Sequence, residues 1–221
     1  MKLLLTSAGL SNKSIRNALV DLLGKPVEES KALFIPTAIY GIRGFAEIIR
    51  TVICGTMGDP FCEAGWKSLG ILELTALPSV KKELWQPMLQ ETDALLVGGG
   101  DCQYLCYWMQ QSGLTEMLPS LLDKIVYVGL SAGSMIMTSY GTTYGNHTLP
   151  SHIDKCLGIL DFAIHPHLDH PQFTDNTLSN QKKISKTLTI PSYMIDDQTA
   201  IKVVDSKIEV ISEGKWKLFH P

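Results

Sequence analysis

The stretch from Ala94 to Gly133 reads ALLVGGGDCQYLCYWMQQSGLTEMLPSLLDKIVYVGLSAG. It opens on four apolar residues, Ala94-Leu95-Leu96-Val97, followed by Gly98-Gly99-Gly100-Asp101. Helical spacing follows in two pieces, Tyr104 to Gln110 and Leu114 to Leu122. A second apolar run, Ile125 to Val128, leads into Gly129-Leu130-Ser131-Ala132-Gly133 and a helix expected over Ala132 to Thr138. Strand, helices and strand in this order imply parallel pairing. Runs that stay apolar, rather than alternating, suit strands buried on both faces.

The same alternation extends outward. Strands are expected at Lys2 to Thr6, Ala32 to Ile35 and Gly70 to Leu74, with helices at Lys13 to Leu23, Phe45 to Cys54 and Val80 to Leu89. Beyond Tyr140 the pattern loosens. Gly141 to Asp154 is polar and turn-rich. A strand over Leu160 to Ile164 runs into His165-Pro166-His167, and a helix over Thr177 to Leu188 follows the loop Asp169 to Asn176. Late strands fall at Ala200 to Val204, Lys207 to Ile211 and Lys215 to Phe219, with Glu213-Gly214 as the turn of a C-terminal β-hairpin. The expected fold is α/β, a three-layer, doubly wound, mostly parallel sheet, in a single domain over residues 1–221. In such sheets, sites lie beyond the carboxyl ends of the strands. That rule selects three junctions: Pro36 onward, Gly98 to Asp101, and Gly129 to Gly133.

Composition narrows the function. The 221 residues carry a net charge of −3 with no Lys/Arg run longer than two, so nothing offers the clustered positive charge that nucleic acid or an anionic membrane needs. No apolar run reaches the roughly 18 residues that span a bilayer. Leu3-Leu4-Leu5 is too short for a signal core, because Thr6-Ser7 follows at once; a cytoplasmic protein is expected. Five scattered cysteines do not form a disulfide framework, and Cys102 and Cys106, sharing a helix face, read as packed, reduced thiols.

Gly129-Leu130-Ser131-Ala132-Gly133 is G-x-S-x-G between a buried strand and a helix. A sharp turn there lifts the serine oxygen above the sheet edge, and the helix N-terminus offers N–H groups to a developing oxyanion. Ala132 can supply one donor, and Gly98-Gly99-Gly100 suits a second because glycine lets a backbone approach closely. The triple glycine lacks the features of a phosphate loop: there is neither G-x-G-x-x-G nor a following Gly-Lys-Ser/Thr. A nucleophilic serine needs a base and the base an orienter. His165, His167 and His170 cluster after a strand, His147 and His152 lie in a polar loop, and His220 is penultimate. Asp196 and Asp197 precede a late strand. The order is then Ser, His, Asp; the α/β-hydrolase order would require His220.

Taken in order, Phe34-Ile35-Pro36-Thr37-Ala38, Val97-Gly98-Gly99-Gly100-Asp101, Gly129-Leu130-Ser131-Ala132-Gly133 and His165-Pro166-His167 resemble peptidase family S51, which includes peptidase E and cyanophycinase. The resemblance implies a fold like that of class I glutamine amidotransferases (flavodoxin-like), with serine replacing their cysteine. It implies Ser131 as nucleophile, His167 as base and Asp197 in the place of the family's glutamate. Gly100 and Ala132 would donate to the oxyanion. It also implies a small peptide substrate and no cofactor or metal; monomer and homodimer both remain open. The family's Asn-Pro-His is His-Pro-His here, and its G-G-G-Asn is G-G-G-Asp. This makes Gly99, Asp101 and His165 candidate substrate-binding residues. The arginine thought to hold a substrate aspartate in peptidase E has no counterpart in Thr177 to Lys183, where Lys182 and Lys183 are the only cations. Strict aspartyl specificity is therefore not expected.

Two rival readings stand beside this one. His165-x-His167-x-Asp169-His170 has zinc-ligand spacing, although only His220 follows it as a further histidine ligand. The same fold could also carry a binding or regulatory protein without activity.

Overall fold

The computed structural model describes residues 1–56, 61–142, 147–149 and 156–221. In chain order its elements are β1 (Lys2–Thr6), α1 (Lys13–Leu23), β2 (Lys31–Ile35), α2 (Phe45–Ile53), β3 (Ser68–Ile71), α3 (Lys82–Gln90), β4 (Ala94–Val97), α4 (Cys102–Gln111), α5 (Leu114–Leu122) and β5 (Val126–Leu130). There follow α6 (Ala132–Met135), β6 (Ala163–His165), α7 (Leu178–Ser185), β7 (Ser192–Ile195), β8 (Thr199–Val204), β9 (Lys207–Ser212) and β10 (Trp216–Phe219).

A seven-stranded sheet runs β3-β2-β4-β5-β1-β8-β9. The first five of these strands are parallel, and β8 and β9 are antiparallel. Side chains alternate across it. Leu3, Leu5, Leu33, Leu95, Val97 and Tyr127 enter one core with residues of α3, α4 and α5. Leu4, Phe34, Leu96, Val126 and Val128 enter the other, against Ile15, Leu19 and Leu22 of α1. The central strands are apolar on both faces because both faces are covered, which makes three layers. Helix α1 is bounded locally: the Asn12 side chain accepts the Ile15 N–H, and Gly24 ends the helix in the left-handed conformation.

The C-terminal third differs from the sequence expectation. Ser192–Ile195 is a strand that the sequence reading left unassigned; it joins β6 and β10 in a separate three-stranded sheet, β10-β7-β6. Glu213-Gly214 is accordingly not a hairpin turn, since β9 and β10 belong to different sheets. The C-terminal hairpin is β8–β9, turning at Asp205-Ser206. The helix expected over Ala132 to Thr138 stops after one turn. The carbonyls of Ile136, Met137 and Thr138 accept amides from residues 157–160 instead of continuing the helix.

Two pairings position the site. Antiparallel β8 pairs Ala200 with Thr6, so the start of β8 meets the carboxyl end of β1. Parallel β6 and β7 pair His165 with Met194, so the residues after both strands emerge side by side, tied by the Leu168 N–H donating to the Ile195 carbonyl.

Candidate active site

Ser131 sits between β5 and α6 with φ 50° and ψ −108°, a backbone conformation unfavourable for a side chain bearing a Cβ. It is held there by its own N–H donating to the Thr6 carbonyl and by the Ser134 and Met135 N–H groups donating to its carbonyl. The Tyr127 hydroxyl, fully buried, fixes the next turn by donating to the Gly133 carbonyl.

The Ser131 hydroxyl lies 2.9 Å from His167 Nε2. On the other side of the ring, His167 Nδ1 is 2.7 Å from Asp197 Oδ1. A carboxylate only accepts, so Nδ1 carries the proton and Nε2 is left to accept from the serine. His167 itself has φ 60°. Its ring stacks on Phe173 at 4.5 Å and 14°. Asp197 also accepts from the Ser7 hydroxyl at 2.7 Å, and His170 Nε2 lies 3.6 Å from its second oxygen. Burial alone would raise the Asp197 carboxyl. The hydrogen bond and charge of His167, the Ser7 hydroxyl and the charge of His170 outweigh it and hold the group below its ordinary value. A hydroxyl, an imidazole and a carboxylate in line can activate the hydroxyl for attack on a carbonyl.

Gly100 lines two cavities together with Ser131, and Ala132 follows Ser131 in the chain. Gly100 adopts φ +134°, and a Cβ there would fall 2.1 Å from the Ala38 carbonyl oxygen, so only glycine fits. Among the described residues, neither the Gly100 nor the Ala132 N–H donates to a backbone carbonyl. With α6 only four residues long, little helix dipole supports the Ala132 N–H, contrary to the sequence expectation.

Two cavities flank Ser131 and His167. The first, about 250 Å³, is lined by Phe34, Ile39, Ile42, Phe61 and Leu130, with Gly99 on its wall. The second, about 290 Å³, is lined by His165, Asn176 and Gln181 beside Ser131. An open mouth above Ser131 carries Arg43.

The three expected histidines separate here. His167 meets Ser131, His170 meets Asp197, and His165, buried against Tyr140 at a ring distance of 5.0 Å, faces the second cavity. Asp101 does not meet a substrate space as expected. It is fully buried, caps α4 by accepting the Tyr104 N–H, and lies 3.3 Å from His147 Nε2. Helix α7 turns Gln181 toward the second cavity and leaves Lys182 and Lys183 exposed. His152 lies outside the described residues. The zinc-ligand run does not converge: among the described residues no group of three or more His, Cys, Asp or Glu side chains could hold one metal ion.

Sequence reasoning missed Ser7, Gln181, Phe173 and Arg43. Ser7 had a signal, since it directly follows β1, a central strand, and the rule of carboxyl ends applies to it as to the others.

The family model of peptidase family S51 matches residues 3–211. A solved structure assigned as a peptidase E protein of Listeria monocytogenes EGD-e superposes with a TM-score of 0.66 at 19% identity, covering 96% of this chain and 98% of its own. A peptidase from an acI-B1 actinobacterium superposes with a TM-score of 0.58 at 16% identity, covering 99% and 93%. At these identities the superpositions establish a shared fold. No curated protein matches the chain. The match over residues 3–211 places the chain in peptidase family S51.

Proposed function

We propose that the chain is a serine peptidase that cleaves short peptides through Ser131, His167 and Asp197. The observation that carries this reading is the unbroken hydrogen-bonded line from Asp197 through His167 to a serine held on a strained turn. His167 takes the hydroxyl proton as Ser131 Oγ bonds to the scissile carbonyl carbon. Gly100 and Ala132 donate to the resulting oxyanion. The C–N bond then breaks as His167 returns the proton to the leaving amine. Water, deprotonated by His167, attacks the acyl-enzyme and frees Ser131. Asp197 keeps the imidazole in the required tautomer throughout.

Strict aspartyl specificity is not part of this reading, because among the described residues the second cavity has no lysine or arginine in its lining. Five free thiols agree with a cytoplasmic setting. Among the described residues no helix is long and apolar enough to cross a membrane.

The test is labelling with a fluorophosphonate probe together with hydrolysis of a peptide library, for wild type and Ser131→Ala, with and without a chelator. Labelling and cleavage that vanish in the variant and ignore the chelator support the proposal. Cleavage that persists in Ser131→Ala, or that the chelator abolishes, sinks it. Neither labelling nor cleavage by the wild type would point instead to a binding protein on this fold.

A further inference from the structure

The second cavity contains two buried polar atoms that have no partner among the described residues, His165 Nε2 and Gln181 Oε1. Both residues are more than nine-tenths buried, at 4% and 6% exposure, and both line the cavity beside Ser131. Protein interiors pair such atoms, so an unpaired imidazole nitrogen and an unpaired amide oxygen on two residues that line one cavity point to a ligand group.

The chemistry of that group can be read from what surrounds them. Gln181 Nε2 donates to Asn176 Oδ1 at 3.4 Å, and Asn176 Nδ2 donates to the Pro166 carbonyl at 3.1 Å. This chain of amides occupies the Gln181 NH₂ and leaves its carbonyl oxygen a buried acceptor without a partner among the described residues, on a side chain that lines the cavity. Burial lowers the His165 imidazole to about 4, so at neutral pH it is uncharged and offers one N–H and one bare nitrogen. A carboxylate would meet the Gln181 oxygen with no cation among the described lining residues to offset it, and Asp175 adds a negative charge there. An apolar group would leave both buried atoms unpaired. A primary carboxamide matches: its NH₂ donates to Gln181 Oε1, and its oxygen accepts from His165 Nε2–H.

We propose that this cavity is a specificity pocket for the carboxamide side chain of an asparagine or glutamine flanking the scissile bond. The inference rests on the reading of Ser131 as the nucleophile.

The experiment measures kcat/KM of the full chain on peptides that differ only in the residues flanking the cut, with Asn, Gln, Asp, Lys and Leu tried on each side. Expected is a preference of about tenfold or more for Asn or Gln over Asp and Leu at one of the two positions. Gln181→Leu should shrink the Asn-to-Leu ratio about tenfold. The ratio is taken within one preparation, so a partial loss of fold cancels, and the wild-type profile stands if the variant fails to fold. Hydrolysis and probe labelling that persist while Asp, Lys or Leu is preferred, or while no residue is, overturn the pocket and leave Ser131 untouched. Absence of both labelling and hydrolysis overturns the Ser131 reading and the pocket with it.

Discussion

The Ser7 hydroxyl donates to Asp197 Oδ1 at 2.7 Å across a sequence separation of 190 residues. Ser7 Oγ in turn accepts the His167 backbone N–H at 2.8 Å. Ser7 thus touches the acid and the base of the line without touching Ser131, and it supports His167 at its positive φ. Ser7→Ala leaves a partly buried N–H unpaired and a carboxylate freer to turn. The expected outcome is a kcat lower by about 10- to 100-fold with KM little changed, the equivalent of about 1–3 kcal/mol. Steady-state kinetics on a correctly folded variant, judged by circular dichroism, decide it; a parallel rise in KM would count against a positioning role.

The two neighbouring aspartates should separate cleanly. Asp196 Oδ1 accepts from the Gln198 N–H and the Thr199 hydroxyl, and its other oxygen accepts from the Lys215 N–H, so its carboxylate ties β10 to the start of β8. Asp196→Asn is expected to lower stability by about 1 kcal/mol and leave kcat within a fewfold. Asp197→Asn favours the wrong imidazole tautomer and should lower kcat by about 10⁴-fold. Equal kinetic effects from the two variants would refute the assignment.

Strain at Ser131 predicts a trade between stability and activity. Glycine accepts φ 50° and ψ −108° without penalty, whereas alanine does not. Ser131→Gly should therefore unfold at higher denaturant than Ser131→Ala, by about 1 kcal/mol after the greater flexibility of its unfolded chain is included. Both variants should be inactive. Chemical denaturation of the pair at one pH is the measurement, and a less stable glycine variant would argue that the turn stores no strain.

Burial of His165 makes stability depend on pH in one direction. Its folded value near 4 lies below its ordinary 6.5, so the native protein binds fewer protons than the unfolded chain between those limits. The His165 contribution is complete above pH 6.5 and is lost as pH falls toward 4, about 3 kcal/mol in all. Asp197, held low, loses its own contribution only at more acid pH, through its lowered folded value. Urea unfolding of wild type and His165→Gln between pH 7 and pH 4.5 should show the variant's stability falling less steeply. Parallel curves would mean that His165 is not the group responsible.

Much of the fold was legible because the signals are local. Ala94–Val97 and Leu114–Leu122 fall where the sequence predicts them, since all four strand residues and the helix's Leu114, Leu118, Leu121 and Leu122 are buried in the core. Ser131 was visible because strand, tight turn and helix start are contiguous. Edge elements were less so: β3 lies at the sheet edge with no fully buried residue, and the apolar Leu72 and Leu74 that drew the expected strand onward are buried beyond its end. Gln181 and Ser7 escaped because their meaning depends on partners brought by tertiary packing. Nothing near Thr6-Ser7 in the sequence announces Asp197.

The antiparallel pairing of β1 with β8 has a consequence for the order of synthesis. Strand β1 has one edge without its partner until residues 199–204 are made, and Asp197 lies just ahead of them. A chain that ends before Asp197 therefore holds Ser131 and His167 without the carboxylate that orients the imidazole, and on the proposed mechanism it is inactive. Ribosome-bound chains ending before Asp197 should take up no fluorophosphonate. On the proposed mechanism the site is thus complete only once β8 has joined the sheet.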